Sequence, residues 1–205
     1  MPKVSRAQTD LNRVAIEEGA ARLFRERGLR GVSVANLMAA AGLTHGGFYG
    51  HFESKDDLAA AACTKAFRQS IARWKKRVVG QPDRAGARAA LFEAYLSAQN
   101  RGSPGTGCAL AALASDVARE AAGKPIHGAY LDGLEGLLEV LQQVQGPGGD
   151  PARDRERALG QLSTLVGAMV LARATRGQPV SDEILAAARA ALVPPPARRR
   201  RTPSL

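Results

Sequence analysis

Apolar positions recur at helical spacing along most of this chain. Between residues 33 and 42 they fall at i, i+3, i+4 and i+7, which places one apolar face on Val34, Leu37, Met38 and Ala41. Glycine and proline clusters, of which 146–151 is the clearest, divide the chain into nine such segments. Thr9 or Asp10 can cap the first segment, and the fifth runs over 83–100. Runs of β-branched residues are missing. The pattern therefore predicts an all-α protein of about nine helices.

A helix-turn-helix is predicted over residues 33–52. Ser33 can cap a short helix, and only Gly42 and Leu43 separate that helix from the next, predicted over 44–51 with Thr44 as its cap. In such a motif the second helix enters the major groove of DNA. By local pattern alone, a helical hairpin that merely packs remains an equal alternative.

The residues of this motif favour DNA binding. The stretch VSVANLMAAAGLTHGGFYGHFESKDDL (32–58) closely resembles the DNA-binding signature of TetR-family regulators, and AARLFRERG (20–28) resembles their first helix. The resemblance implies a three-helix DNA-binding domain over 9–60 and a larger effector-binding and dimerisation domain over 61–193. It also implies a homodimer that represses from a palindromic double-stranded DNA operator and is released by a small molecule.

The sequence departs from the family pattern at two places within the motif. Met38 stands where alanine is commoner, and His45-Gly46-Gly47-Phe48 replaces a sequence such as Lys-Gly-Thr-Leu. These departures leave the operator sequence open. Carried over by position, the resemblance assigns DNA contacts to Ser33, Val34, Thr44, His45, Gly46, Gly47, Tyr49, His51 and Lys55. For His51, packing beside Phe52 is an equal alternative.

The charge distribution agrees with a polyanion partner at one end of the chain. Residues 1–80 hold 14 Lys and Arg against 7 Asp and Glu, whereas residues 81–193 hold 11 against 12. Residues 194–205 add four arginines to a proline run, which predicts a disordered tail. The near-neutral larger domain favours an uncharged or weakly charged effector.

A dimer interface is predicted on the last two helices. The segment from Ala158 to Ala172 carries no charge and is apolar on several sides, so it must be covered on more than one. It could be the central core helix of a monomer. The resemblance instead places a four-helix interface here, and the expected residues are Leu159, Leu162, Ser163, Val166, Gly167, Val170, Ile184 and Ala188.

An effector pocket is predicted between the helices of the larger domain. Its candidate lining residues are Phe67, Ile71, Trp74, Phe92, Tyr95, Gln99, Cys108, Tyr130 and Val166. Cys108 opens a helix after a glycine-rich loop, where the helix dipole favours a thiolate. The segment resembles a TetR subgroup that contains electrophile- and oxidant-responsive repressors, although a small buried hydrophobe is the commoner role of a free cysteine.

The same residues give less support to other functions. A cysteine enzyme using Cys108 and His127 lacks strands and an orienting third group, so no catalytic residue is predicted. A DNA-organising or division-control protein without an effector remains an alternative on the same scaffold. No metal spacing appears, no cofactor is expected, and no apolar stretch is long enough to span a membrane. We expect a cytoplasmic protein.

Overall fold

The computed structural model describes residues 5–193, and the tail predicted to be disordered (194–205) lies outside them. Within this range the chain is all helical, with nine α-helices, two 3₁₀ helices and no strand. In chain order the elements are α1 (Arg6–Arg27), α2 (Val34–Ala40), η1 (His45–Gly50), α3 (Lys55–Val78), α4 (Arg84–Tyr95), α5 (Ala98–Gly102), η2 (Pro104–Thr106), α6 (Ala109–Val117), α7 (Pro125–Gln145), α8 (Pro151–Ala174) and α9 (Pro179–Leu192). The predicted all-α class is confirmed.

Side-chain caps determine where several helices begin. Ser5 accepts a hydrogen bond from the Gln8 amide, so α1 starts before the expected Thr9 or Asp10. At α2, the Ser33 hydroxyl accepts from the Asn36 amide while the Asn36 side chain accepts from the Ser33 amide. This reciprocal pair satisfies two amides that the first turn of a helix leaves unpaired.

Two predicted helices take a different form in the structure. The second helix of the helix-turn-helix, predicted as α-helix over 44–51, is the 3₁₀ helix η1, because Gly46, Gly47 and Gly50 give this segment little intrinsic α-helix stability. The helix predicted over 83–100 ends at Tyr95, and Ser97 caps the separate short helix α5. The total of nine α-helices therefore matches the prediction through partly different elements.

At one end of a continuous apolar core, α1, α2 and η1 pack together, and we call these three elements the N-terminal domain. Phe24, Leu37 and Phe48 are each buried almost completely. The Phe48 and Phe52 rings stack at 6.0 Å between centroids, which joins η1 to the segment leading into α3. Because α3 starts in this domain and continues into the larger one, it links the two parts of the molecule.

The larger domain is built on the pairing of α3 with α7. Gly133 of α7 lies against the buried Phe67 ring of α3, and Phe67 meets Tyr130 edge-on at 5.4 Å. Helices α8 and α9 pack against each other at the C-terminal side of the described chain. Within residues 5–193, none of the helices combines the length and apolar character needed to cross a lipid bilayer.

Candidate nucleic-acid interface and internal cavity

The first turn of η1 is an open surface of small side chains. Thr44, His45, Gly46 and Gly47 are exposed, and Tyr49 beside them is 73% exposed. Thr44 occupies the N-cap position, yet its side chain makes no capping hydrogen bond, unlike the cap we expected. The hydroxyl is therefore available to an outside partner, and the backbone of the turn is unobstructed.

The two departures from the family pattern are in contact with each other. Met38 is fully buried, and its terminal methyl carbon lies 3.6 Å from the position that a Cβ on residue 47 would occupy. The large Met38 side chain thus packs beneath position 47, which is occupied by glycine. A Cβ on residue 47 would therefore lie in ordinary van der Waals contact with the Met38 methyl group.

An arginine that the sequence analysis did not single out holds the end of η1. The Arg13 guanidinium donates to the His51 carbonyl at 2.6 Å and lies over the Phe52 ring at 4.4 Å. Glu17, one turn further along α1, pairs with Arg13 at 3.2 Å. These contacts orient η1 on α1. The i, i+4 spacing of Arg13 and Glu17 was the only signal in the sequence.

The other predicted DNA contacts differ in accessibility. Ser33 is exposed, whereas Val34 and His51 are half-buried, and the His51 Nδ1 is buried without a hydrogen-bond partner among residues 5–193. The Lys55 ammonium donates to the Leu29 carbonyl at 2.8 Å. Lys55 therefore has an internal role in tying α3 to the turn after α1, and its contact with phosphate stays a prediction.

Hydrogen bonds and ion pairs add to the apolar packing that joins the N-terminal helices to the rest of the chain. Asp116 of α6 accepts from the Leu29 amide at 3.1 Å. Lys124 bonds to Glu120 at 2.6 Å and to Asp56 at 3.1 Å. The hydrogen bond from Lys124 lowers the pKa of Glu120, and the same bond raises the pKa of Lys124. A cavity of about 240 Å³ lies here, and its lining residues include Leu29, Asp56, Glu120 and Lys124.

A cavity of about 170 Å³ lies among α3, α4, α5, η2 and the start of α6. Its lining residues are Arg73, Trp74, Arg77, Leu91, Ala94, Tyr95, Ser97, Gln99, Asn100, Ser103, Thr106 and Cys108. Four of the predicted pocket residues are therefore brought together here, namely Trp74, Tyr95, Gln99 and Cys108.

The remaining predicted pocket residues lie elsewhere. Phe67 and Phe92 are fully buried core residues, and the Tyr130 hydroxyl donates to the Leu110 carbonyl at 3.4 Å. Ile71 and Val166 are half-buried and are not among the residues that line this cavity. Apolar character alone does not separate a core side chain from one that borders a cavity.

The polar part of the cavity wall was missed by the sequence analysis. Arg73 and Arg77 stand at its exposed rim, and Arg25 and Arg173 lie near Cys108 behind it. Burial lowers the pKa of Arg25 to about 10, aided by the neighbouring charge of Arg73. Burial also raises the pKa of Tyr95 well above its ordinary value, and the Cys108 sulfur acts in the same direction.

Cys108 and His127 do not form a catalytic pair in the structure. The Cys108 sulfur is buried on the cavity wall, and no histidine lines that cavity. The His127 ring is bonded instead through Nε2 to the Ala121 carbonyl at 3.1 Å. Cys63 is buried in α3, where burial raises the pKa of its thiol to about 12.

The predicted dimer residues fall into three degrees of exposure within one subunit. Leu159, Ser163 and Val170 are exposed, and Val166, Gly167 and Ile184 are half-buried. Leu162 and Ala188 are buried inside the subunit, so they support this surface from beneath. Leu171 and Val180, which were not predicted to lie at the interface, are 57% and 43% exposed on the same two helices. An apolar surface of this kind is typical of an interface.

Comparison with known proteins finds the strongest sequence similarity in the N-terminal domain. The family model described as bacterial regulatory proteins, tetR family, matches residues 16–62. The HTH-type transcriptional repressor AcnR of Corynebacterium diphtheriae is 38% identical over 58 residues. That match spans 28% of this chain and 30% of the relative's length.

Solved structures resemble the described chain over nearly its whole length. A TetR-family transcriptional regulator from Cytophaga hutchinsonii superposes with a TM-score of 0.75 and 22% identity, covering 93% of this chain and 96% of that one. The transcriptional regulator FadR of Bacillus subtilis, solved in complex with stearoyl-CoA, gives a TM-score of 0.64 and 17% identity over 88% of this chain and 97% of its own. At these identities the likeness concerns the fold.

Proposed function

We propose that this chain, whose residues 16–62 match the family model of bacterial regulatory proteins, tetR family, is a DNA-binding transcriptional repressor released from a palindromic operator by a small-molecule effector. The observation that carries the proposal is the exposed, glycine-containing first turn of η1 at the end of a helix-turn-helix. Small side chains there allow the backbone to approach base edges closely. We expect the protein to act in the cytoplasm.

The DNA contacts follow from the exposure of the motif. The free Thr44 hydroxyl and the exposed Tyr49 hydroxyl are suited to phosphate oxygens, and His45 can reach a base edge or a phosphate. The N-terminus of α2, which begins after Ser33, can also bind a phosphate of the DNA backbone through its amides and the positive end of the helix dipole. Arg13 acts indirectly, because it orients η1 through the His51 carbonyl.

Helix α6 provides the route from an effector to the DNA-binding domain. It begins at Cys108 on the cavity wall, and Asp116 near its other end accepts a hydrogen bond from Leu29 of the DNA-binding domain. A helix of nine residues spans about 13 Å and moves as a rigid unit. A ligand that displaces its start would therefore disturb the Asp116–Leu29 bond and shift the DNA-binding domain.

A homodimer would translate that shift into loss of affinity. Two recognition elements must lie about 34 Å apart to enter successive major grooves on one face of DNA. The exposed apolar residues of α8 and α9 support a dimer that sets this separation. A coupling free energy of about 1–3 kcal/mol between effector and DNA is enough for a usable switch.

Covalent modification of Cys108 is a second candidate signal. The sulfur is buried at the cavity wall near Arg25, Arg73 and Arg173. A reagent would have to enter the cavity to reach it, so modification would occupy the effector position. The cysteine-enzyme alternative gains no support, because no histidine borders this thiol.

Recovery of the bound genomic DNA tests the proposed function. The purified protein is incubated with fragments of its own genome, and the retained fragments are sequenced. We expect one or a few palindromic sites. The affinity for them should fall steeply as salt rises, and the slope of log affinity against log salt concentration should be about −0.9 for each phosphate contact. Many scattered sites of similar affinity would favour the DNA-organising alternative, and no retained DNA would refute both.

A further inference from the structure

The cavity beside α6 has an unbalanced charge. Arg73 and Arg77 are among its lining residues, and no aspartate or glutamate is. Its other polar groups include the Asn100 amide and the hydroxyls of Ser97 and Thr106. A cation-lined cavity without a counter-ion suits an anionic occupant.

The arginines around the cavity bind neutral oxygens. Arg73 donates to the Ser70 hydroxyl at 3.1 Å and to the Gly107 carbonyl at 3.0 Å. Arg173 donates to the Asn100 carbonyl at 3.1 Å.

Arg25, further from the rim, donates to the Gln69 amide oxygen at 2.8 Å. Over residues 5–193, Arg25, Arg73 and Arg173 form no ion pair with a carboxylate. Glu26 affects Arg25 electrostatically but is itself paired with Arg22.

The cavity wall also has an apolar part, formed by aromatic and aliphatic side chains. Trp74 and Tyr95 meet edge-on at 5.8 Å between ring centroids, and Leu91 lies beside them. Tyr95 is 4% exposed, so its ring adds to this apolar surface, and its hydroxyl lies close to the Cys108 sulfur.

The volume limits the size of the occupant. A cavity of about 150 Å³ lined by apolar side chains can hold one benzene molecule, and this one measures about 170 Å³. We propose that the cavity binds a small organic carboxylate with a single ring or a short branched chain. The carboxylate would lie at Arg73 and Arg77, and the apolar body against Trp74 and Leu91. The proposal rests on the proposed function only for its consequence, the release of DNA.

A carboxylate effector differs from the uncharged or weakly charged effector that the sequence predicted. That expectation used the net charge of the whole larger domain. Its acids, however, are engaged elsewhere, as Glu120 is with Lys124 and Glu135 with Arg155. The local charge of the cavity wall is therefore positive although the domain is near neutral.

Binding can be measured without DNA, because Trp74 is the only tryptophan of the chain and lines the cavity. Benzoate, phenylacetate and cyclohexanecarboxylate are titrated against the full-length protein while Trp74 emission is recorded, and calorimetry repeats each titration. The uncharged amides of the same three acids are the matched controls. We expect saturable binding of at least one acid, at least tenfold tighter than its amide. Equal affinity of acid and amide, or no binding of any acid by either method, would overturn the proposal.

Variants assign the charge selectivity to the rim. Arg73→Gln should weaken binding of the acid at least tenfold and leave that of the amide unchanged. Arg68→Gln, at an exposed arginine of α3 outside the cavity, is the control and should bind like the wild type. If Arg73→Gln fails to fold, Arg77→Gln serves, since the Arg77 side chain makes no hydrogen bond or ion pair within residues 5–193. Unchanged acid affinity in the tested rim variant would refute the assignment.

Two further arms separate the competing explanations. Inorganic phosphate should compete poorly because it has no apolar body, and equal competition would make this a general anion site. Cys108→Ser should still bind the acid more tightly than the amide. If the variant loses this preference, the arginines act by interacting with the Cys108 thiol rather than with the carboxylate. If the acid binds but genomic DNA is not released, the proposed ligand class is supported and the proposed control of DNA binding by the ligand is refuted. If no DNA is bound at all, the proposed function fails while the fluorescence result is unaffected.

Discussion

Replacing Gly133 by alanine tests the close approach of α3 and α7, on which the larger domain is built. A methyl group at this position would overlap the Phe67 ring well inside van der Waals contact. The ring is 1% exposed and packs edge-on against Tyr130, so it has no free space to move into. The helices must therefore separate, or Phe67 must leave its rotamer.

The magnitude follows from two opposing effects. Alanine in place of a helical glycine stabilises by about 0.5–1 kcal/mol. Overpacking a filled core costs about 1–3 kcal/mol, and we expect the upper end because the obstacle is a buried ring rather than a flexible chain end. Gly133→Ala should therefore lower the free energy of unfolding by about 2 kcal/mol.

Gly128 provides the control on the same helix. A methyl group there meets no atom within 4 Å, so Gly128→Ala should raise stability by about 0.5–1 kcal/mol. Urea unfolding of both variants and the wild type, at one fixed protein concentration because a dimer couples stability to concentration, measures the difference. Two variants of equal stability would show that α7 has room at Gly133 and would refute the packing argument.

The other predictions concern DNA, assembly and the thiol. Gly47→Val should abolish operator binding by fluorescence anisotropy while thermal unfolding changes by about 1 kcal/mol at most, because the position is exposed; undiminished affinity would contradict the model. A Cβ at residue 167 meets no atom within 4 Å inside the subunit, so the Gly167→Glu subunit should fold, yet sedimentation should show a monomer without DNA affinity. A stable dimer would place α8 outside the interface. If Cys108 is a sensor, an electrophile should release DNA from the wild type and from Cys63→Ser but not from Cys108→Ser. Release of DNA from Cys108→Ser would show that Cys108 is an ordinary core residue.

Local features of this protein could be predicted from sequence because local residues determine them. The apolar face of α2 and the glycine that follows it can be recognised within a window of about nine residues, and together they predict the helix-turn-helix. The break that the sequence analysis missed also had a local signal. Ser97 and Asn100 repeat the Ser-x-x-Asn spacing that caps α2 at Ser33, and Ser97 caps α5 in the same way.

Contacts between distant segments were decided by the tertiary structure. Arg13 reaches the His51 carbonyl across 38 positions, and Arg25, Arg73 and Arg173 converge near Cys108 from three helices. No window of sequence contains these partners together. Whether an arginine is neutralised depends on which acids the fold brings near it, so a net charge summed along the chain could not reveal a cationic cavity. The sequence alone predicted most of the helices and the helix-turn-helix, whereas the packing of the helices determined which side chains line the space between them.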